Sequence, residues 1–452
     1  MSLYADEIIR FSSVLKMSYN LIAGRDELKR KKLREKKHLI SVALPFSDLL
    51  FGFPNLIPVF PIRMEVFKVS KYLSYLGSAS SIFGWDNVSK ILGYIKNAGI
   101  KEVSKVIDDI IDGVIETLNE KYNEMYDIGV ERGISSDFCF ALKTLVGMHV
   151  SKMKNVSGTL NYSIRCSAWN KYLESLKSIK SDVKQIWLDI PPRNIGNAMG
   201  LLEDNIRSAL TDLEDISGNT YNDNQLREHF KVANQIRRDY KTIIYEIGAS
   251  DFYPCNPATF SEILALLSIS FQDYNSNPIR YAQNIHQMVN EMRERIKKGI
   301  GMDVSKYKKI MVTPMFGGWE PKTHEIIYQL GGRAIYADWD VLKFLDDIPI
   351  SSKSDPVEAY AQFLSDVTES GIGCDNNVLT DSYIRVAKQL KADGLVFNSL
   401  FGCHSVSNCY AMLKDKIRRD LEIPSISLTF NRIGDNIEQV STRLGAFMEM
   451  LR

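Results

Sequence analysis

The chain has 452 residues, 45% hydrophobic and 25% charged, so a core of ordinary size is available and disorder is not the default. Lys and Arg number 56 against 55 Asp and Glu, a net charge of +1, which excludes a chain built to bind nucleic acid along its length. Six cysteines without a CxxC exclude a disulfide scaffold, a zinc ribbon and a thioredoxin motif.

At roughly 100–200 residues per domain, the length suggests two to four units. Residues 1–38 read as an N-terminal helical segment, with Ile8, Ile9, Val14, Leu15, Leu21 and Ile22 at helical spacing. The basic run at 25–38 reads as a solvated face or as a docking surface for an anionic partner. The most apolar stretch, 39–59, contains Pro45, Asp48, Pro54 and Pro58, so no membrane-spanning helix is expected. The acidic N-terminus has no apolar signal region, and a cytoplasmic chain is expected.

Residues 39–192 read as a first α/β lobe. Candidate strands are 39–45, 159–166 and 185–192, and Val106, Ile110, Val114, Leu118 and Met125 suggest a long helix over Val103–Met125. Residues 193–304 read as a helical connecting region, with helices near 194–217, 225–247 and 277–298; the prolines at 254 and 257 predict a loop over 251–257. Residues 305–452 read as a second α/β lobe. Strands at 308–315, 333–339, 392–403 and 423–430 alternate with helices near 320–331, 379–391, 405–421 and 436–451. Short apolar strands alternating with helices imply parallel sheets covered on both faces. The fold class is therefore α/β, with two flavodoxin-like or Rossmann-like lobes.

Ligands of open parallel sheets bind at the carboxyl ends of strands. Cys166 and Cys403 end candidate strands, and Ser135, Ser136 and Asp137 are N-cap candidates that place Cys139 near a helix start. His404, next to Cys403, reads either as a proton donor to that site or as a loop histidine. Asp189 is placed at a strand end, and the GGW turn at 317–319 with Glu320 follows another. Asp435 and Arg443 are spaced to pair across two helical turns, most simply as a structural contact. His149, His229, His286 and His324 are expected to face solvent. Neither GxGxxG nor GxxxxGK[ST] occurs, so any ATP hydrolysis belongs to another protein.

The segments SSDFCFALKTLVG, SIRCSAWNKYLESL with QIWLDIPP, and ADGLVFNSLFGCHS resemble the 2-hydroxyacyl-CoA dehydratase/benzoyl-CoA reductase family of iron–sulfur subunits. So does the C-terminal segment with Asp435, Gln439, Arg443, Phe447, Glu449 and Leu451. The resemblance runs over about residues 40–452. It implies that Cys139, Cys166 and Cys403 hold one [4Fe–4S] cluster with an iron open to substrate. It also implies low-potential electron transfer to an acyl-CoA thioester, for dehydration of a 2-hydroxyacyl-CoA or for ring reduction. The implied partners are a related second subunit or a second copy, and an ATP-dependent iron–sulfur activator. Cys409, six residues after Cys403, is an alternative ligand; with Cys374 and Cys255 it leaves a double cluster open. The chain departs from the family at LLFGFPN, where bulky Phe51 and Phe53 surround Gly52. That departure keeps open a non-catalytic partner or electron-relay subunit; a two-lobed small-molecule binding protein remains a third reading.

Overall fold

The computed structural model describes residues 5–42, 48–60, 71–98, 120, 122–152, 156–163, 166–179, 183–313, 322–351, 354–370, 375–403, 407 and 409–451. The long helix expected over Val103–Met125 lies mostly outside them; so do Cys374, His404 and the 317–320 turn.

The first sheet holds β1 (His38–Val42), β2 (Leu56–Val59), β3 (Gly158–Ser163) and β4 (Lys184–Asp189), all parallel, in the order β2-β1-β3-β4. After a two-stranded antiparallel pair, β5 (Phe252–Tyr253) with β6 (Met302–Asp303), comes a second parallel sheet. It holds β7 (Lys308–Thr313), β8 (Gly332–Tyr336), β9 (Gly394–Leu400) and β10 (Ser425–Phe430), in the order β10-β9-β7-β8. Both sheets thus share one winding, with the second strand of each set outside the first and the third and fourth on its other side. This is the α/β architecture that the sequence implies. β2, β8 and β9 are buried at every position, as strands covered on both faces must be.

This winding fixes where a crevice opens. Strand order reverses between β1 and β3 in the first sheet and between β7 and β9 in the second, and ligand crevices form beyond the carboxyl ends at such reversals. Cys166 follows β3, and Cys403 follows β9.

The connecting helices bind the lobes together. Asn222 caps the Asp223–Lys241 helix by accepting from the Gln225 amide at 2.9 Å. Leu226 and Phe230 of this helix sit in the core around the first sheet, and Ile236 and Tyr240 in the core around the second. Its buried polar groups are satisfied across that junction: the Asn234 amide meets both the carbonyl and the amide of Ile348, at 2.9 and 2.8 Å. The first core is completed by Val357, Tyr360, Phe363 and Leu364 from the Pro356–Ser370 helix, far along the chain. Phe11, Val14 and Met17, at the start of the Ser12–Arg34 helix, are buried in the second core.

The expected loop at 251–257 is in part regular structure, with residues 254–256 remaining irregular. Phe252 and Tyr253 form β5, and Pro257 opens the Pro257–Ile269 helix, capped by Asn256 at 2.9 Å from the Thr259 amide. A proline at the first helical position loses no hydrogen bond there, so it starts this helix instead of blocking it. The second helix of the region, Asp223–Lys241, runs into a wider π-helical turn over Thr242–Ile247. Among the described residues, no helix is long and apolar enough to cross a membrane.

Candidate functional site: the cysteine seam

Of the three sequence-selected cysteines, Cys139 and Cys166 stand immediately before a helix. The carbonyls of Cys139, Cys166 and Cys403 accept from the amides four residues on, Lys143 at 3.3 Å, Asn170 at 3.0 Å and Ser407 at 2.9 Å. Cys139 itself, not Ser135, Ser136 or Asp137, is thus the residue at the start of the Phe140–Lys152 helix. Helix starts carry unpaired amides and partial positive charge, which favour thiolates and anions.

The fold brings two of the three together. Cys139 packs against both hydrophobic cores, at the seam between the lobes. There the Cys403 thiol hydrogen-bonds its sulfur. Gly402 makes this approach possible. It holds a left-handed backbone, φ +76°, and a Cβ there would collide with the Asp137 carbonyl and the Phe138 backbone. Contact with Cys403 is the main influence that lowers the Cys139 thiol to about 7. Burial opposes it, while the Leu142 and Ala141 amides and the Lys143 ammonium assist.

Cys166 is half-buried against the first core and is not gathered with the other two. Among the described residues, no group of three or more His, Cys, Asp or Glu side chains stands close enough to hold a metal ion. The helix after Cys166 is nonetheless tied to the helix after Cys139, where the Tyr172 hydroxyl hydrogen-bonds buried His149, and to β3, where the Trp169 indole donates to the Tyr162 carbonyl at 2.8 Å. Cys409 is buried and its thiol is pushed up to about 12, and burial raises Cys255 well above the usual thiol range. Both are neutral thiols at ordinary pH.

Beside Cys403, the ends of β7 and β8 supply a buried polar chain. Thr313 donates to Asp338 at 2.7 Å, and Tyr383 hydrogen-bonds Thr313 and lies near Cys403. Burial raises the Tyr383 phenol well above its ordinary value, so it stays protonated. On the first lobe, the turn after β1 carries a second buried network. Asp48 accepts from His229 at 2.9 Å and from Tyr274, and pairs with Arg237 at 3.3 Å. Phe51 stacks on His229 with ring centroids 4.0 Å apart, and Phe53 is buried beside Tyr221. The bulky β1 exit is therefore packed in place.

Several expectations require correction. His149, His229 and His324 are buried, because each finds a polar partner inside: Tyr172, Asp48, and the Tyr336 hydroxyl at 3.1 Å. His286 is exposed, as expected. Asp435 and Arg443 form no ion pair among the described residues. Sequence reasoning missed Lys143, Tyr383, Thr313 and Asp338. Only Lys143 carries a visible signal, a lone lysine in the apolar run FALKTLVG.

All three cysteines, β3, β4 and the whole second sheet fall within residues 112–451, which match the family described as 2-hydroxyglutaryl-CoA dehydratase, D-component. No curated protein matches the chain. The match covers most of the sequence, and the chain belongs to the 2-hydroxyglutaryl-CoA dehydratase D-component family.

Proposed function

We propose that this dehydratase component works in the cytoplasm as an iron–sulfur subunit, with Cys139, Cys166 and Cys403 as ligands of a [4Fe–4S] cluster at the seam. The observation that carries the reading is the meeting of Cys139 and Cys403 across the two lobes. The donor set suits the group: cubane clusters take thiolates, and helix-start amides stabilise their negative charge. When bound, such a cluster supplies a low-potential electron and an open iron to an acyl-CoA thioester. The chain's own residues then have separate tasks. Ala141 and Leu142 amides hold the Cys139 sulfur, and Gly402 admits the approach of Cys403. Tyr383, bonded to Thr313, keeps a proton beside Cys403 in a water-poor site. His404 is proposed as a proton donor at the same place, and Cys409 as the alternative ligand; a double cluster is the variant that would use it. The net reaction for a 2-hydroxyacyl-CoA is loss of water to give the 2-enoyl-CoA. Ring reduction of a benzoyl-CoA is the alternative fate of the same electron. A related second subunit or a second copy, and an ATP-dependent activator, complete the proposed system.

The test uses the anaerobically purified chain, reduced with titanium(III) citrate and followed by electron paramagnetic resonance. Addition of 2-hydroxyglutaryl-CoA or benzoyl-CoA should change the signal, whereas free coenzyme A should not. Which thioester acts separates dehydration from reduction. No signal in the reduced chain overturns the reading. A second reading, a partner subunit holding a catalytic relative of the same fold, is favoured by the packed Phe51–His229 stack at the β1 exit. It predicts tight heteromer formation and no response to either thioester.

A further inference from the structure

Lys143 is only 1% exposed, yet its ammonium has neutral acceptors: the Ser136 carbonyl at 2.7 Å and the Tyr126 hydroxyl at 3.1 Å. Among the described residues, no carboxylate pairs with it within 4.0 Å. A buried charge without a counter-ion is costly, so an anion nearby is called for. Cys139 lies four residues earlier, one helical turn away on the same face. The Ser136 bond also closes the turn that delivers Cys139, within which the Phe138 amide donates to Ser135 at 3.2 Å. Gly402 packs on this same turn. The other acceptor, Tyr126, is anchored to the second lobe: the Arg432 guanidinium lies 4.5 Å from its ring centroid and pairs with Asp127 at 2.8 Å.

We propose that Lys143 is a positioning residue of the cysteine seam: it fixes the Ser135–Phe138 turn that presents Cys139 to Cys403, and supplies the positive charge required by an anionic occupant. The second part rests on the cluster reading above; the first does not.

The test compares wild type with Lys143→Gln, which keeps hydrogen bonding but loses the charge, and Lys143→Arg, which keeps the charge. The first readout is the cluster's reduction midpoint. The second is the rate at which iodoacetamide modifies Cys139 in the iron-free chain, read by peptide mass spectrometry against buried Cys255. Lys143→Gln should move the midpoint to a more negative value and slow Cys139 modification about twofold, the Lys143 ammonium being the weakest of the influences that lower that thiol. Lys143→Arg should restore both. An unchanged midpoint and an unchanged rate in Lys143→Gln overturn the proposal while leaving the cluster reading intact. If wild type holds no iron but the rate still falls in Lys143→Gln, the clamp stands and the cluster reading fails. Thermal melts check folding. Should Lys143→Gln not fold, Tyr126→Phe removes one anchor, keeps the charge and should change the rate of Cys139 modification by loosening the turn, and an unchanged rate there overturns the proposal.

Discussion

At Gly402 the backbone of one lobe runs against the turn that precedes Cys139, in a conformation that disfavours any side chain. Gly402→Ala should cost about 1–3 kcal/mol, more than Gly84→Ala, which has a similar φ of +75° but nothing within 4 Å of the added carbon. Equal losses in urea denaturation would show that the collision with Asp137 and Phe138 is not real. Asp48 makes a different residue-scale prediction. Burial alone would raise its carboxyl, but Arg237, the His229 hydrogen bond and Tyr274 hold it down at about 2. A carboxyl depressed in the folded state stabilises above its unfolded value of about 4 and loses that contribution as pH falls towards 2. Burial also lowers His229, so protons taken up by the unfolded chain below about pH 6.5 act in the same direction. Stability should therefore decline steadily on acidification. Asp48→Asn should cost about 3–5 kcal/mol at neutral pH, because Arg237 keeps its buried charge but loses its carboxylate counter-ion. A melt of Asp48→Asn equal to wild type would refute this. These histidine and aspartate roles were not legible in the sequence, since His229 and Asp48 are 181 residues apart and meet only in the fold.

At the scale of elements, strands were the most legible feature. Short β-branched runs ended by turn residues mark β3, β4, β9 and β10, and helices between them require parallel pairing. The 251–257 segment was partly misread because proline's effect depends on its position in a helix, which spacing does not reveal. Close helix crossing was equally hidden. Helix 122–131 and the Phe140–Lys152 helix approach so tightly that a Cβ at Gly147 would strike the Met125 carbonyl, and one at Gly129 the Lys143 carbonyl. Alanine normally favours a helix over glycine by about 1 kcal/mol. Here the clash should reverse the sign, and Gly147→Ala should destabilise by about 1–3 kcal/mol in chemical denaturation. A stabilised variant would mean that these helices stand further apart.

At the scale of the molecule, two like-wound sheets place Cys166 and Cys403 beyond their order reversals, and Cys139 lies where both cores meet. The strand ends were readable from spacing; the meeting of Cys139 with Cys403 was implied only by the family resemblance, because it depends on Gly402 and on packing that spans both cores. Leu226 and Phe230 in one core, and Ile236 and Tyr240 in the other, share a single helix. Scanning calorimetry should accordingly show one cooperative transition, and two separated transitions would contradict this coupling. The central claim, that cysteines of both lobes hold one cluster at the seam, is tested most directly by iron and acid-labile sulfide content. The comparison is between wild type, Cys139→Ala, Cys166→Ala, Cys403→Ala and Cys409→Ala, each purified anaerobically from a host with intact cluster assembly. About four irons per chain are predicted in wild type and Cys409→Ala, with loss in the other three. An iron-free wild type would contradict the account, and about eight irons, lost with Cys409, would replace the single cluster with a double one.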